Sequence, residues 1–243
     1  MNFKYTNRTD LIIFGACILS LIAFSINTRL DSIVPVYINS LIILGVFTYW
    51  GLRKDVTGML RRGLIIGAVA GFAYTFVDRV FVDMWIIIKY LRNDIKVFAT
   101  PLSIVLTFIY CIAIVMYFYQ RLRSVFTKFL IPAALTGVSA FLAGIVMSYF
   151  GDRARLWVWP WNTGTMPAPT PSIGPTPLPL LIALFLTFFL SPYIIGGQRI
   201  TARIKLSDNP LAGGLRCAIL LGMMMFFSFH TLSLAFYALK SWI

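Results

Sequence analysis

Glutamate is missing from this chain, and histidine occurs once, at His230. Every carboxylate side chain is therefore one of eight aspartates, and any acid chemistry has to be sought there. A lone histidine excludes a two- or three-histidine metal centre within the chain, and with it the histidine-cluster chemistry of oxygen-activating membrane enzymes. The cysteines Cys17, Cys111 and Cys217 lie far apart inside apolar runs, without metal-ligand spacing, and read as buried free thiols. A phosphate-cradling glycine loop, a Cys-x-x-Cys, a His-x-Glu and a serine nucleophile elbow are also absent. No cofactor is called for by any of these patterns.

Charge is scarce as well. Only 12% of the 243 residues are charged, 59% are hydrophobic, and the mean hydropathy is +0.85. A soluble domain carries about twice that charge. Several apolar runs approach the ~20 residues that cross a bilayer as a helix. The chain therefore reads as an all-α, multi-pass integral membrane protein forming one domain over 1–243. The net charge of +13 does not point to nucleic acid, because Lys and Arg sit in short clusters between apolar runs, as membrane topology requires.

Seven spans are expected, at about 11–26, 33–52, 63–80, 101–119, 129–149, 178–195 and 215–242. The apolar start lacks a small-x-small cleavage site and reads as a retained helix. Prolines 101, 132 and 177 stand near the first turns of their helices, where a missing N–H costs little. Basic residues concentrate at the N-terminus and at 53–62, 120–128 and 196–216, including Arg53, Lys54, Arg61, Arg62, Arg121, Arg123, Lys128, Arg199, Arg203 and Lys205. Asp31, Asp78, Asp83, Asp94 and Asp152 fall on the other side. The positive-inside rule then predicts a cytoplasmic N-terminus and an outer C-terminus. The apolar stretch 81–90 is too short to span and reads as an interfacial or re-entrant helix. Between 152 and 177, Trp157, Trp159, Pro160, Trp161, Pro167, Pro169, Pro171 and Pro175 make a segment that cannot lie in lipid, with its tryptophans expected at headgroup level.

A repeat runs through the middle of the chain. Asp78-Arg79, Trp85, Thr100-Pro101-Leu102 and Gln120-Arg121 return as Asp152-Arg153, Trp159, Thr176-Pro177-Leu178 and Gln198-Arg199. The units span about 61–121 and 129–199. Asp78 and Asp152 each end an apolar helix, with Trp seven positions later. The plain reading is a helix-stopping Asp–Arg pair with a belt tryptophan. The functional reading is two carboxylates converging on a cavity between repeat-related helices, placed for proton donation. Thr100 and Thr176 read as N-caps before proline, or as helix N-termini open to a polar ligand. Small residues along 63–73 and 134–144 predict that these two helices each touch something at short distance, with each other as one candidate. Arg153 and Arg155, interleaved with Trp157, Trp159 and Trp161, read as interface anchors or as a cradle for an anionic headgroup or diphosphate. His230 and Met223, Met224 and Met225 read as packing residues.

The repeat resembles the membrane lycopene cyclase domain, the small carotenoid cyclases, over roughly 63–200. Phe150-Gly151-Asp152 with Trp157 and Trp159, then Pro177-Leu178, is similar to that family's aromatic-Asp, Trp-rich loop and Pro-Leu order. Phe76-Val77-Asp78 with Trp85, then Pro101-Leu102, is similar again. Where the family carries paired acids after Pro-Leu, this chain has Ser103-Ile104 and Pro179-Leu180, and its two-helix unit of about 75 residues is shorter than the family's. The resemblance thus implies a carotenoid- or isoprenoid-modifying enzyme with Asp78 and Asp152 as its acids. Trp85 and Trp159 would then stabilise a carbocation. The alternatives are a non-catalytic membrane subunit holding lipid, pigment or partner helices, and, with least support, a transporter of an organic anion.

Overall fold

Six helices in the structure, a computed structural model, are long and apolar enough to cross a membrane: Arg8–Leu30, Val34–Arg53, Met59–Met84, Leu102–Arg123, Leu130–Arg153 and Pro210–Leu232. Residues 8–30, 32–159, 171–196 and 208–240 are described. Asp31, Pro160, Trp161, Pro167, Pro169, Gln198, Arg199, Arg203, Lys205 and Trp242 lie outside them. The protein is a multi-pass helical membrane protein. Its outer surface is correspondingly apolar, with Leu11, Phe14, Leu41, Phe76 and Leu142 exposed where lipid would lie.

In chain order, the helices are α1 (Arg8–Leu30), α2 (Val34–Arg53), α3 (Met59–Arg79, continued by a π-helical turn Val80–Met84), α4 (Leu102–Arg123), α5 (Leu130–Arg153), α6 (Leu178–Phe189), α7 (Ser191–Ile195) and α8 (Pro210–Lys240). The 178–195 segment, expected as one span, is broken at Leu190. Pro192 has no N–H to give the carbonyl of Phe188, and the Ser191 hydroxyl donates to that carbonyl instead, at 2.5 Å. Helix α8 starts five residues before the expected span. Asn209 caps it by accepting the Leu211 N–H at 2.9 Å, with Pro210 at the first helical position.

Each repeat is a helical hairpin, α3 on α4 and α5 on α6, and α8 closes against α3 and α6. Small residues make these approaches possible. A Cβ on Gly63 would stand 2.8 Å from the carbonyl oxygen of Ala113, and one on Gly137 would stand 2.9 Å from that of Phe185. The small faces of α3 and α5 thus make the close approaches expected of them, and the partner the sequence left open is in each case the other helix of the same hairpin. Helices α1 and α2 attach through interhelical hydrogen bonds, Asn39 to Tyr110 at 3.3 Å and Ser40 with Thr107 at 3.3 Å. At the basic end, Asp10 on α1 accepts from Tyr117 and Arg121 of α4.

The loops carry three two-stranded ribbons: β1 (Lys89–Tyr90) with β4 (Trp157–Val158), β2 (Lys96–Val97) with β3 (Thr100–Pro101), and β5 (Ser172–Ile173) with β6 (Thr176–Pro177). The last two are the same device used twice. Each turns on a left-handed residue, Phe98 or Gly174, and closes with the N–H of Leu102 or Leu178 on the carbonyl of Ile95 or Pro171, at 2.7 and 2.8 Å. Pro101 and Pro177 are the helix-preceding residues, so Thr100 and Thr176 are strand residues and not N-caps. The stretch 81–90 is not a separate interfacial helix: it is the π turn, a left-handed Ile86 and the extended strand β1.

Strands β1 and β4 join the two repeats. Ile86 and Arg155 are both left-handed and both end their helices. Counting forward from them makes Lys89 equivalent to Val158, and these two residues face each other in the ribbon. The ribbon is therefore symmetric about a local two-fold axis passing between Lys89 and Val158.

Candidate functional site

Beneath that ribbon lies a cavity of about 160 Å³. Its lining follows the repeat. Tyr74 on α3 and Ser148 on α5 stand 74 positions apart and both line it. So do the α4–α6 pairs Ile104 and Leu180, Phe108 and Leu184, and Ile112 and Phe188, each 76 apart. Ile88 and Trp157, then Tyr90 and Trp159, close the ribbon end with a spacing of 69. The cavity thus lies between the two hairpins, the usual place for a site in repeat-built membrane folds. A volume of this size takes a ring or a short branched segment, on the scale of benzene in an apolar cavity of roughly 150 Å³.

Asp78 is the carboxylate in this lining, and it is buried at 2% exposure. Two hydroxyls from the loop above converge on its Oδ2: Thr100 donates at 2.6 Å and Tyr90 at 2.9 Å. Among the described residues nothing donates to Oδ1, which leaves that oxygen to a ligand. Burial beside Asp78 pushes the Tyr90 phenol well above its ordinary range, so it remains a donor at any physiological pH. The Tyr74 hydroxyl is taken up by Met225 Sδ at 3.0 Å. The remaining walls are mainly aromatic and aliphatic, with Phe81 and Phe108 beside Trp157 and Trp159.

The repeat's second half is built differently. After Asp152 the chain turns within three residues, at Arg155, whereas α3 runs on through its π turn for eight residues to Ile86. Asp78 is consequently inside a helix and roofed by its loop, while Asp152 is half-buried in the last turn of α5 and does not line the cavity. The Thr100–Asp78 bond has no counterpart among the described residues, where Thr176 Oγ1 is buried without a partner. Trp157 covers Gly151, whose missing side chain gives the indole its room.

Of the residues singled out in the sequence, the structure brings Asp78, Trp157 and Trp159 to one cavity. Trp157 and Trp159 are 8% and 4% exposed, inside the protein and not at headgroup level. Trp85 is half-buried outside the cavity lining, packed edge-on against Phe81 and His230. Tyr90, not Trp85, holds the place equivalent to Trp159 once the π turn is counted. Arg153 and Arg155 are exposed, with Arg153 stacked over Tyr149 at 4.9 Å. Arg79 pairs with Asp83 at 3.4 Å and not with Asp78. His230 bonds the Phe226 carbonyl at 2.9 Å, a helix-satisfied role. Sequence reasoning missed Tyr74, Tyr90, Phe108 and Ser148. Extending the 74- and 76-residue spacings backwards and forwards from the motif finds three of the four. Compared with protein-family models, curated proteins and solved structures, the chain matches none.

Proposed function

We propose that this membrane protein takes the end of an isoprenoid-like chain into the cavity and rearranges it by proton transfer, as a carotenoid cyclase does. One observation carries the reading: a single carboxylic acid stands among aromatic faces in a mostly apolar cavity, with one oxygen held and the other free. Asp78 gives its proton from Oδ1 to a terminal alkene carbon, forming a C–H bond and consuming the π bond. The resulting cation is attacked by a second alkene of the same chain, closing a C–C bond. Tyr74, Tyr90, Trp157 and Trp159 offer π faces to the positive charge, and the apolar walls keep water from quenching it. The Asp78 carboxylate, steadied by the Thr100 and Tyr90 hydroxyls, then removes a proton from a neighbouring carbon. The product is an isomer of the substrate, with no redox change and no cofactor in the balance.

The position of Asp152 off the cavity favours a second reading, a non-catalytic subunit that holds a lipid or pigment. One experiment separates the two. Purified protein in nanodiscs is supplied with linear carotenoids and prenyl lipids, and products of unchanged mass but altered ring count are sought by chromatography and mass spectrometry. Conversion that Asp78→Asn abolishes and Asp152→Asn leaves within about twofold supports the enzyme. A ligand that co-purifies and is never converted favours the subunit.

A further inference from the structure

Ser148 is a repeat-matched polar residue of the cavity whose hydroxyl no described residue engages. It is 3% exposed and lines the cavity, and it makes no hydrogen bond to the described residues. Three other buried helical hydroxyls satisfy themselves on the carbonyl four residues back: Thr107 on Ser103 at 2.9 Å, Thr136 on Pro132 at 2.6 Å, and Thr187 on Ala183 at 2.7 Å. The same bond is open to Ser148 through Gly144, and it is not made. A buried hydroxyl left without a partner costs free energy that a ligand oxygen recovers. Water is a poor substitute, since a buried water needs about two to four polar partners and the wall beside Ser148 is Ala143, Gly144 and Met147.

Three other hydroxyls of the cavity are already committed, and Trp157 adds an enclosed indole N–H with no partner among the described residues. Tyr74 donates to Met225, Tyr90 to Asp78, and Thr107 to Ser103. The hydroxyl and carboxylate oxygens left uncommitted in the lining are Ser148 Oγ on α5 and Asp78 Oδ1 on α3, and they belong to opposite repeats. We infer that the ligand is not a plain hydrocarbon but an isoprenoid-like lipid bearing one oxygen, as a ketone or hydroxyl, which bonds the Ser148 hydroxyl. Ser148 is then a specificity-determining residue. It holds the oxygenated carbon against α5 and leaves the hydrocarbon part toward Asp78. This rests on the cavity being a ligand site, as proposed above, and not on that site being catalytic.

The test uses the full chain in nanodiscs and two probes, geranylacetone and the hydrocarbon in which its carbonyl is replaced by CH2. Binding is read from quenching of tryptophan fluorescence and corrected for partition into empty nanodiscs. The ketone is expected to bind about tenfold more tightly, the value of one net hydrogen bond. In Ser148→Ala the ketone should fall to the level of the hydrocarbon, while hydrocarbon affinity stays within about twofold and reports an intact fold. Equal binding of the two probes by the unaltered protein, or a preference that survives Ser148→Ala, overturns the inference and leaves the cavity reading standing. If neither probe binds, both fall together.

Discussion

Asp78 keeps its place because two hydroxyls from one loop converge on a single one of its oxygens. Removing one of them tests what the arrangement is for. Thr100→Val keeps the shape and deletes the 2.6 Å bond, and turnover is expected to fall about tenfold, since one bond to the carboxylate formed on proton transfer is lost. Thr100→Ser restores the bond and should restore turnover; a Val variant as active as the parent would remove Thr100 from the mechanism. Tyr90 makes a pH prediction with a definite sign. Its phenol is raised in the folded state, so the stability it contributes is whole below the ordinary tyrosine range of about 10 and declines as pH climbs beyond it. The difference spectrum between the parent and Tyr90→Phe should therefore show no tyrosinate band at about pH 11 while the protein is folded. A tyrosinate band there would mean that the phenol is not enclosed.

The hairpins depend on backbone contact that only glycine permits. A Cβ on Gly67 would press into the carbonyl oxygen of Ile109, whereas one on Gly45 in α2 meets nothing within 4 Å. Gly67→Ala is expected to destabilise the protein by about 1–3 kcal/mol in denaturant titrations in micelles, and Gly45→Ala to leave it nearly unchanged. Equal effects would contradict the packing of α3 on α4. The repeated loops also show what was legible beforehand and what was not. The two Thr-Pro-Leu sequences mark two hairpins that are alike to the turn residue, and helix positions follow from apolar runs alone. The π turn at Val80–Met84 leaves no such mark. Its extra residues shift Trp85 out of register with Trp159 and separate the fates of Asp78 and Asp152, although both read identically in one dimension. Thr100 looked like a helix cap because Thr-Pro-apolar is a common N-terminus. Tertiary pairing of Lys96-Val97 with Thr100-Pro101 overrides that local preference.

Taken whole, the molecule places its ribbon, with the cavity beneath it, at the end opposite the arginine-rich loops. The distribution of Lys and Arg supports an arrangement in which the arginine-rich end is cytoplasmic and the cavity opens near the outer leaflet. A single cysteine at Lys96, which is exposed in the ribbon loop, should react with membrane-impermeant maleimide on intact cells after the native cysteines are replaced. One at Thr57 should react only after permeabilisation, and the reverse pattern would invert the topology. The lone acid in the cavity makes a sharper demand. If Asp78 delivers and recovers the proton, ring closure in D2O must place solvent deuterium in the product. The decisive measurement is therefore the mass of material formed from a linear carotenoid in D2O-equilibrated nanodiscs. The account requires a cyclised isomer carrying one deuterium, formed by the parent and absent with Asp78→Asn. A cyclised product without deuterium, or one that Asp78→Asn makes equally well, would contradict it.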